Sequence, residues 1–518
     1  MNPQKHYCVP PLSRLDVDDL LTLIRNESYF VLHGPRQTGK TSALLALRDL
    51  LNGGAHGAYR CIYVNVESGQ AARENQAEAM RAILSELEIE AEATLDDPLP
   101  ARLWPGLLER SGPAGVLRQV FMRWALADPT PLVLLIDEID TLIGDTLIAV
   151  LRQLRAGYAH RPLRFPQSVI LCGVRDYRIH SSAEKAIITG GSAFNIKAES
   201  LRIGDFAEAE VRALLGQHTA ETGQPFAREA LRAVWELTAG QPWLVNSLAR
   251  QACFRNDAGR DRSRTITAEA IHEAREQLIL RRETHLEQLT DRLQEARVRR
   301  VIGPVLSGGQ PSAEMQPDDL QYVRDLGLVA RDDPIRVANP IYREVIPRDL
   351  TWTTQAGFAH DPAWYVDADG SLNLTRLLAE FQEFFREHSE HWIERFQYRE
   401  AGPQLLLQAF LQRIVNSGGR VEREYGLGRM RTDLLIIWPA GAPPDRTRRM
   451  VIECKLRHGS LEETIRTGLR QTRAYLDRCA AAEGHLVIFD RTEGKPWRDK
   501  VFRRERTDGG APVTVWGM

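Results

Sequence analysis

The chain has 518 residues, 43% of them apolar and 26% charged, a composition ordinary for folded globular proteins and too much chain for one hydrophobic core. That excludes a disordered, fibrous or disulfide-stapled protein and predicts about three or four domains. The net charge of −2 excludes a polyelectrolyte binder as a whole, although from Arg376 onward 25 basic residues face 20 acidic ones, while the remainder holds 42 and 49.

A basic C-terminal part suits nucleic acid, and a mixed solvated surface accounts for it equally well. The first residues lack a charged stretch followed by an apolar one, so no secretory signal is expected. No apolar run approaches the roughly 20 residues needed to span a bilayer, so no membrane partner is expected. The six cysteines are scattered without a C-x-x-C pair, which suits a reducing cytoplasm and argues against zinc. Only seven cations are lysines: Lys5, Lys40, Lys185, Lys197, Lys455, Lys495 and Lys500. Arginine is the default here, so a lysine inside a motif points to a role for a compact ammonium.

In chain order, residues 28–35 (SYFVLHGP) predict a buried strand running into a Gly-Pro break. CIYVNV (61–66), PLVLLIDE (131–138) and SVILCGV (168–174) predict further short strands, with helical patterns at 41–52, 76–90 and 145–158. Strands alternating with helices imply a parallel sheet covered on both faces. The Pro-rich stretch 93–114 reads as a loop-rich insertion. From about 205 the pattern is all-helical. Residues 265–350 read as helices followed by a short β-wing, a winged-helix pattern, and 351–372 read as a linker. A second α/β domain fills 373–518. The expected domains are therefore 1–204, 205–264, 265–350 and 373–518.

Gly34-Pro35-Arg36-Gln37-Thr38-Gly39-Lys40-Thr41 fits G-x-x-x-x-G-K-[ST] between a predicted strand and a predicted helix that continues with Ser42. The glycines let backbone N–H groups curl around phosphates, and the helix N-terminus favours the anion. Lys40 is expected to reach the β- and γ-phosphates of ATP, and the Thr41 hydroxyl to bind Mg²⁺. PLVLLIDEID ends an apolar strand in Asp137-Glu138. Asp137 would hold Mg²⁺ through water, and Glu138 would orient or deprotonate the attacking water.

With Gly240-Gln241-Pro242, these segments resemble the AAA+/STAND branch of P-loop ATPases, close to origin-recognition and archaeal-type ATPases. The resemblance covers about residues 1–350. It implies a strand between the two Walker strands, which CIYVNV fits. It also implies a helical lid whose G-x-P turn, Gly240 and Pro242, lies near the nucleotide, and a winged helix after it. It places a polar sensor at the end of SVILCGVRD, where Arg175 stands. It further implies a homo-oligomer in which a neighbour supplies an arginine finger, although with sixty arginines no finger is assignable.

GRVEREYGLG (419–428) and RMRTDLLIIW (429–438) predict a hairpin, with Asp433 at the start of an apolar run. RMVIECKL (449–456) predicts a strand on which Glu453 and Lys455 share a face. Asp433 and Glu453 offer hard oxygen ligands suited to Mg²⁺ or Mn²⁺, which would activate water and stabilise a charged phosphate transition state. Lys455 would position that water or help to deprotonate it. Taken alone, E-x-K on a strand is an ordinary surface ion pair.

The spacing resembles the PD-(D/E)XK nuclease superfamily, with Thr432 where the family's Pro stands. Gln471 and Tyr475, one helical turn apart, resemble the Q-x-x-x-Y helix of RecB-type members. Glu400 matches the acid of the family's first helix. The resemblance implies a restriction-endonuclease-like α/β fold over about 120 residues. The whole is then a multidomain α/β protein: a P-loop ATPase with a parallel sheet, a helical lid, a winged helix and a nuclease domain. The expected function is ATP-gated, metal-dependent cleavage of DNA, double-stranded ahead of single-stranded. The alternatives are a regulatory switch or a DNA remodeller whose C-terminal domain binds DNA or a partner without cutting.

Overall fold

The computed structural model describes residues 5–174, 197–281, 291–293, 295–306, 315–346, 365–395, 403–404, 406–408, 410–411, 419–427, 430–439, 447–457, 459–492, 495–507 and 512–518. The chain divides into two compact units. The first is Met1–Arg282 with Gln316–Arg331, and the second is Glu283–Met315 with Asp332–Met518. Among the described residues, no helix is long and apolar enough to cross a membrane.

The first unit is built on five parallel strands: β1 (Tyr29–His33), β2 (Arg60–Asn65), β3 (Leu132–Asp137), β4 (Ser168–Gly173) and β5 (Lys197–Arg202). Their order in the sheet is β2-β3-β4-β1-β5. All residues of β1, β3 and β4 are buried, because a parallel sheet covered on both faces needs unbroken apolar strands. Phe30, Leu32, Val133, Leu135 and Ile170 pack against helices α1 (Val17–Arg25) and α2 (Lys40–Asn52). Tyr29, Val31, Leu132, Leu134 and Val169 face α3 (Gln76–Leu95), α4 (Leu99–Ser111), α5 (Val116–Ala127) and α6 (Gly144–Gly157).

Two expectations are corrected here. CIYVNV forms β2 at the sheet's outer edge, and β4 is the strand that separates β1 from β3. The Pro-rich stretch 93–114 is largely helical, with α3 running to Leu95 and α4 beginning at Leu99. Pro100 falls in the first turn of α4, where a missing N–H costs nothing, and only Pro105 interrupts the interior. The stretch is tied to β2 through Arg60. Its guanidinium lies 3.4 Å from the Asp97 carboxylate, which also accepts the Trp124 indole N–H at 2.6 Å.

The segment expected as a lid holds α7 (Glu208–Thr222), α8 (Arg228–Thr238) and α9 (Pro242–Arg250), and α10 (Ala268–Leu280) rests on α8 and α9. Later come α11 (Ala296–Leu306) in the second unit and α12 (Pro317–Asp325) in the first. Where a β-wing was expected, the described residues carry single bridge positions at Val329 and Val337 and a helix beginning at Pro340.

The second unit holds a six-stranded mixed sheet in the order β10-β11-β9-β8-β7-β6. Its strands are β6 (Arg420–Leu427), β7 (Met430–Pro439), β8 (Thr447–Leu456), β9 (Glu483–Phe489), β10 (Phe502–Arg506) and β11 (Val513–Gly517). The expected hairpin is β6–β7, antiparallel, and β8 is antiparallel to β7 but parallel to β9. One face carries Leu434, Ile452 and Cys454 against α13 (Leu374–Arg395) and Leu406, Leu407, Phe410 and Leu411. The other carries Leu435, Val451, Leu486 and Ile488 against α14 (Leu461–Arg478). Tyr365 and Leu372, expected in the linker 351–372, are buried in the first of these cores.

Candidate functional sites

At the end of β1 the chain turns into α2 through the glycine-rich loop. A Cβ on Gly34 would stand 2.7 Å from the Ile203 side chain, so no larger residue fits. Gln37 at φ 58° and Gly39 at φ 88° bend the loop through the left-handed region. Thr38 donates to the Pro35 carbonyl at 2.8 Å and closes the turn. Lys40 is buried at the start of α2, and its ammonium donates to the Gly34 and Pro35 carbonyls at 3.1 and 3.0 Å. Thr41 and Ser42 follow in the same first turn, where helix N–H groups have no intrahelical partner.

The Thr41 hydroxyl donates to Asp137 Oδ2 at 2.7 Å. Asp137 is fully buried at the end of β3 and accepts the Glu138 N–H at 2.9 Å on Oδ1. A hydroxyl that gives its proton to a carboxylate keeps its lone pairs for a cation, so the Thr41 and Asp137 oxygens fit a hard divalent ion such as Mg²⁺. Glu138 is held at φ 56°, which turns it out of the strand direction. Burial raises its carboxyl pKa; Lys40 opposes the shift, while Asp137, Asp140 and Glu67 add to it. A carboxylate with a raised pKa is a better proton acceptor, which suits the water-activating role.

The Gly240–Pro242 turn is fixed tightly. Gly240 has φ 77°, and a Cβ there would meet the Phe206 carbonyl oxygen at 2.0 Å. Pro242 opens α9, and Gln241 caps it by accepting the Leu244 N–H at 2.6 Å. Arg175 lies outside the described residues.

Three residues of this site escaped the sequence. Tyr63, on β2, donates to Asp137 Oδ2 at 3.0 Å. The Cys172 thiol on β4 is buried near Asp137, and burial first, then that carboxylate, pushes its pKa up. The Arg14 guanidinium stands against the loop, since a Cβ on Gly39 would lie 2.9 Å from its Nη2. Arg14 also donates to the Gly204 carbonyl at 2.8 Å and stacks over Phe206 at 5.0 Å, and the Phe206 N–H donates to the Gly240 carbonyl at 2.8 Å. This chain of contacts joins the phosphate loop to the Gly240–Pro242 turn. One arginine among sixty gives no sequence signal.

In the second unit, Glu453 is 2% exposed on β8, and Lys455 donates to its Oε1 at 2.6 Å. Alternation places both on the sheet face that α14 covers, the face of Val451. Leu434 on β7 pairs with Ile452 on β8, so Asp433, the residue before Leu434, holds the register position opposite Glu453. On α14, Tyr475 is buried in the core, and the Gln471 side-chain oxygen is buried without a hydrogen-bond partner among the described residues. Glu400 lies outside the described residues. Among the described residues, no group of three or more His, Cys, Asp or Glu side chains is arranged to hold a metal ion.

At the end of the same strands lies a cluster that the sequence did not single out. Asp490, just past β9, accepts from Arg457 at 2.6 Å and Lys495 at 2.7 Å on Oδ2, and from the Thr492 hydroxyl at 2.6 Å on Oδ1. Burial works to raise its pKa, but the hydrogen bonds from Lys495, Thr492 and Arg457 win and hold the carboxyl well below the usual range.

Residues 24–178 match the family model described as an AAA domain. No curated protein matches the chain. Among solved structures, a Walker-type ATPase of Pyrococcus abyssi is 15% identical, with 64% of this chain and 93% of that one covered at a TM-score of 0.42. Cdc6p from Pyrobaculum aerophilum is 17% identical over 67% and 96% of the two chains, at a TM-score of 0.35. The Orc1 protein of Aeropyrum pernix, solved in complex with DNA, is 14% identical over 67% and 94%, at 0.34. The family match takes in β1 to β4, the phosphate loop and the Asp137-Glu138 strand end: residues 24–178 form an AAA domain of the P-loop type, which carries an ATPase function.

Proposed function

We propose that the chain couples ATP turnover in its AAA domain to metal-dependent cleavage of DNA by its C-terminal unit. The carrying observation is the buried Glu453 with Lys455 beside it at 2.6 Å, on a strand whose neighbour brings Asp433 to the register position opposite. A carboxylate 2% exposed is costly to bury for a surface ion pair, and an adjacent ammonium suits the handling of a water. Asp433 and Glu453 would hold Mg²⁺ or Mn²⁺, and a metal held there would supply an activated water and charge neutralisation at the phosphate. Lys455 would orient the water, while Gln471 and Tyr475 would shape the α14 side of the site. The excess of basic residues after Arg376 favours a polyanionic substrate, with double-stranded DNA ahead of single-stranded.

In the ATPase, Lys40 and the loop amides would bind the phosphates, and Thr41 and Asp137 would hold Mg²⁺. Glu138 would draw the proton from the attacking water, with Arg175 as the sensor of the γ-phosphate and the Gly240–Pro242 turn closing over the nucleotide. We place the active form in a homo-oligomer, where a neighbouring copy supplies an arginine, and in the cytoplasm.

The test is a cleavage assay on supercoiled, linear and single-stranded DNA with Mg²⁺ or Mn²⁺, with and without ATP. Wild type is expected to cut, Lys455→Ala and Asp433→Ala to lose cutting but keep ATPase activity, and Lys40→Ala to lose nucleotide control. Cutting retained by both C-terminal variants removes the site assignment. A second reading, a nucleotide-controlled switch without cleavage, draws on α12 and the turn after it. A Cβ on Gly327 would meet Pro35 of the phosphate loop at 2.7 Å, and Asp325 lies 3.9 Å from His33. No cutting under any of these conditions favours that reading.

A further inference from the structure

The AAA motif accounts for two of the groups that hold Asp137, the Thr41 hydroxyl and the Glu138 N–H, and leaves Tyr63 unassigned. Tyr63 lies on β2, where its register partner is Leu135 and Asn65 is the partner of Asp137. Residues 63 and 65 share a strand face, so the tyrosine ring starts two residues short of Asp137 on the same side of the sheet. Its phenol spans that gap and donates to Oδ2 at 3.0 Å. The ring is packed among Leu44, Val133 and Leu135, which leaves it little freedom to turn away. Oδ2 thus receives two hydroxyls, Thr41 from the loop side and Tyr63 from the sheet side. A buried carboxylate held at both oxygens has one orientation, and that orientation also aims the Thr41 lone pairs.

We propose that Tyr63 is a positioning residue for the metal step of ATP turnover, holding Asp137 in the one orientation that serves a divalent cation beside Thr41. Outer partners of this kind characteristically change metal affinity by 10- to 100-fold. They leave contacts with the nucleotide base, ribose and loop amides untouched.

The test is Tyr63→Phe in the full chain, which removes one oxygen and keeps the ring. A fluorescent ATP analogue is titrated in EDTA and then across a Mg²⁺ series, and Mn²⁺ binding in the presence of nucleotide is followed by electron paramagnetic resonance. The expected result is unchanged nucleotide affinity in EDTA, a half-saturating Mg²⁺ concentration raised about 10-fold or more, and a matching loss of Mn²⁺ affinity. ATP hydrolysis falls at low Mg²⁺ and recovers at saturating Mg²⁺. A purely structural tyrosine would lower the melting temperature without moving the Mg²⁺ titration. Tyr63→Leu repeats the measurement should the phenylalanine variant prove unstable. Wild-type Mg²⁺ dependence in the variants overturns the proposal.

Discussion

Asp137 and Glu453 are both buried carboxylates at strand positions, but their surroundings differ in kind. Asp137 is held by one backbone N–H and two hydroxyls, all neutral donors, and it sits under a phosphate loop made of contiguous chain. Glu453 has an ammonium beside it, and Asp433 on the neighbouring strand stands opposite it through register alone. The first site is a cradle of backbone with a cation position built in. The second is a pair of side chains whose use depends on a third group from elsewhere. A contiguous loop writes its chemistry into a short motif, whereas a site assembled across strands does not.

The sharpest way to break the comparison is to remove a charged group from the first site. Glu138→Gln is expected to lower the rate of ATP hydrolysis by about 10²- to 10⁴-fold with nucleotide affinity nearly unchanged, measured by phosphate release and equilibrium binding. The same variant carries a stability signature. The folded-state pKa of Glu138 is raised, so its favourable contribution is present below the unfolded value and is lost as pH rises through the folded one. The glutamine variant is therefore expected to melt at or above the wild-type temperature at pH 7, with the difference disappearing at about pH 4. A large drop in melting temperature at pH 7 would show that Glu138 braces the fold instead of serving the reaction.

Next in size is Gly240→Ala, which strains a left-handed backbone and drives a methyl group into the Phe206 carbonyl. A cost of about 2–4 kcal/mol is expected in denaturant unfolding. The loss should also loosen the Phe206–Arg14 contact with the phosphate loop and weaken nucleotide binding. Unfolding at the wild-type midpoint would mean that the Gly240–Pro242 turn is free to shift.

Asp490→Asn probes the end of β8 and β9 in the second unit. The carboxyl of Asp490 is depressed, so its contribution is present above the unfolded pKa and is lost as pH falls through the folded one. The variant is expected to lose about 1–3 kcal/mol at pH 7, with a smaller difference from wild type below about pH 4. Equal differences at both pH values would detach the loss from the charge.

These residues also mark how far the sequence is legible. The phosphate loop, β1, β3 and β4 are legible because each is a single run whose pattern is local. The stretch 93–114 reads as loop because prolines are counted as breakers, yet Pro100 falls where a helix has a donor to spare. β5, KAESLR, gives no apolar pattern to read because three of its six residues are charged. Tyr63 reaches Asp137 only because β2 lies next to β3, a fact of strand order that spacing does not encode. Arg14 is invisible because its residue type is common in this chain, while Lys40 and Lys455 stand out because theirs is rare.

The smallest expected effect bears on whether the two regions communicate. Gly327 has φ 76°, and its α-carbon hydrogen points at Pro35, where a methyl group would stand 2.7 Å from the ring. Gly327→Ala is expected to cost about 1–2 kcal/mol, mostly from the left-handed backbone. The more informative measurement is nucleotide release, followed by stopped-flow displacement of a fluorescent analogue. Pro35 is one of the two adjacent residues whose carbonyls take the Lys40 ammonium, the other being Gly34. Pressure on its ring therefore shifts a phosphate-binding group, and release is expected to change by about 2- to 10-fold. Since Gln316–Arg331 is bounded in sequence on both sides by segments of the second unit, such a change would show that a segment joined directly to that unit responds to the nucleotide loop. Release at the wild-type rate, with only the melting temperature lowered, would leave the contact as packing alone.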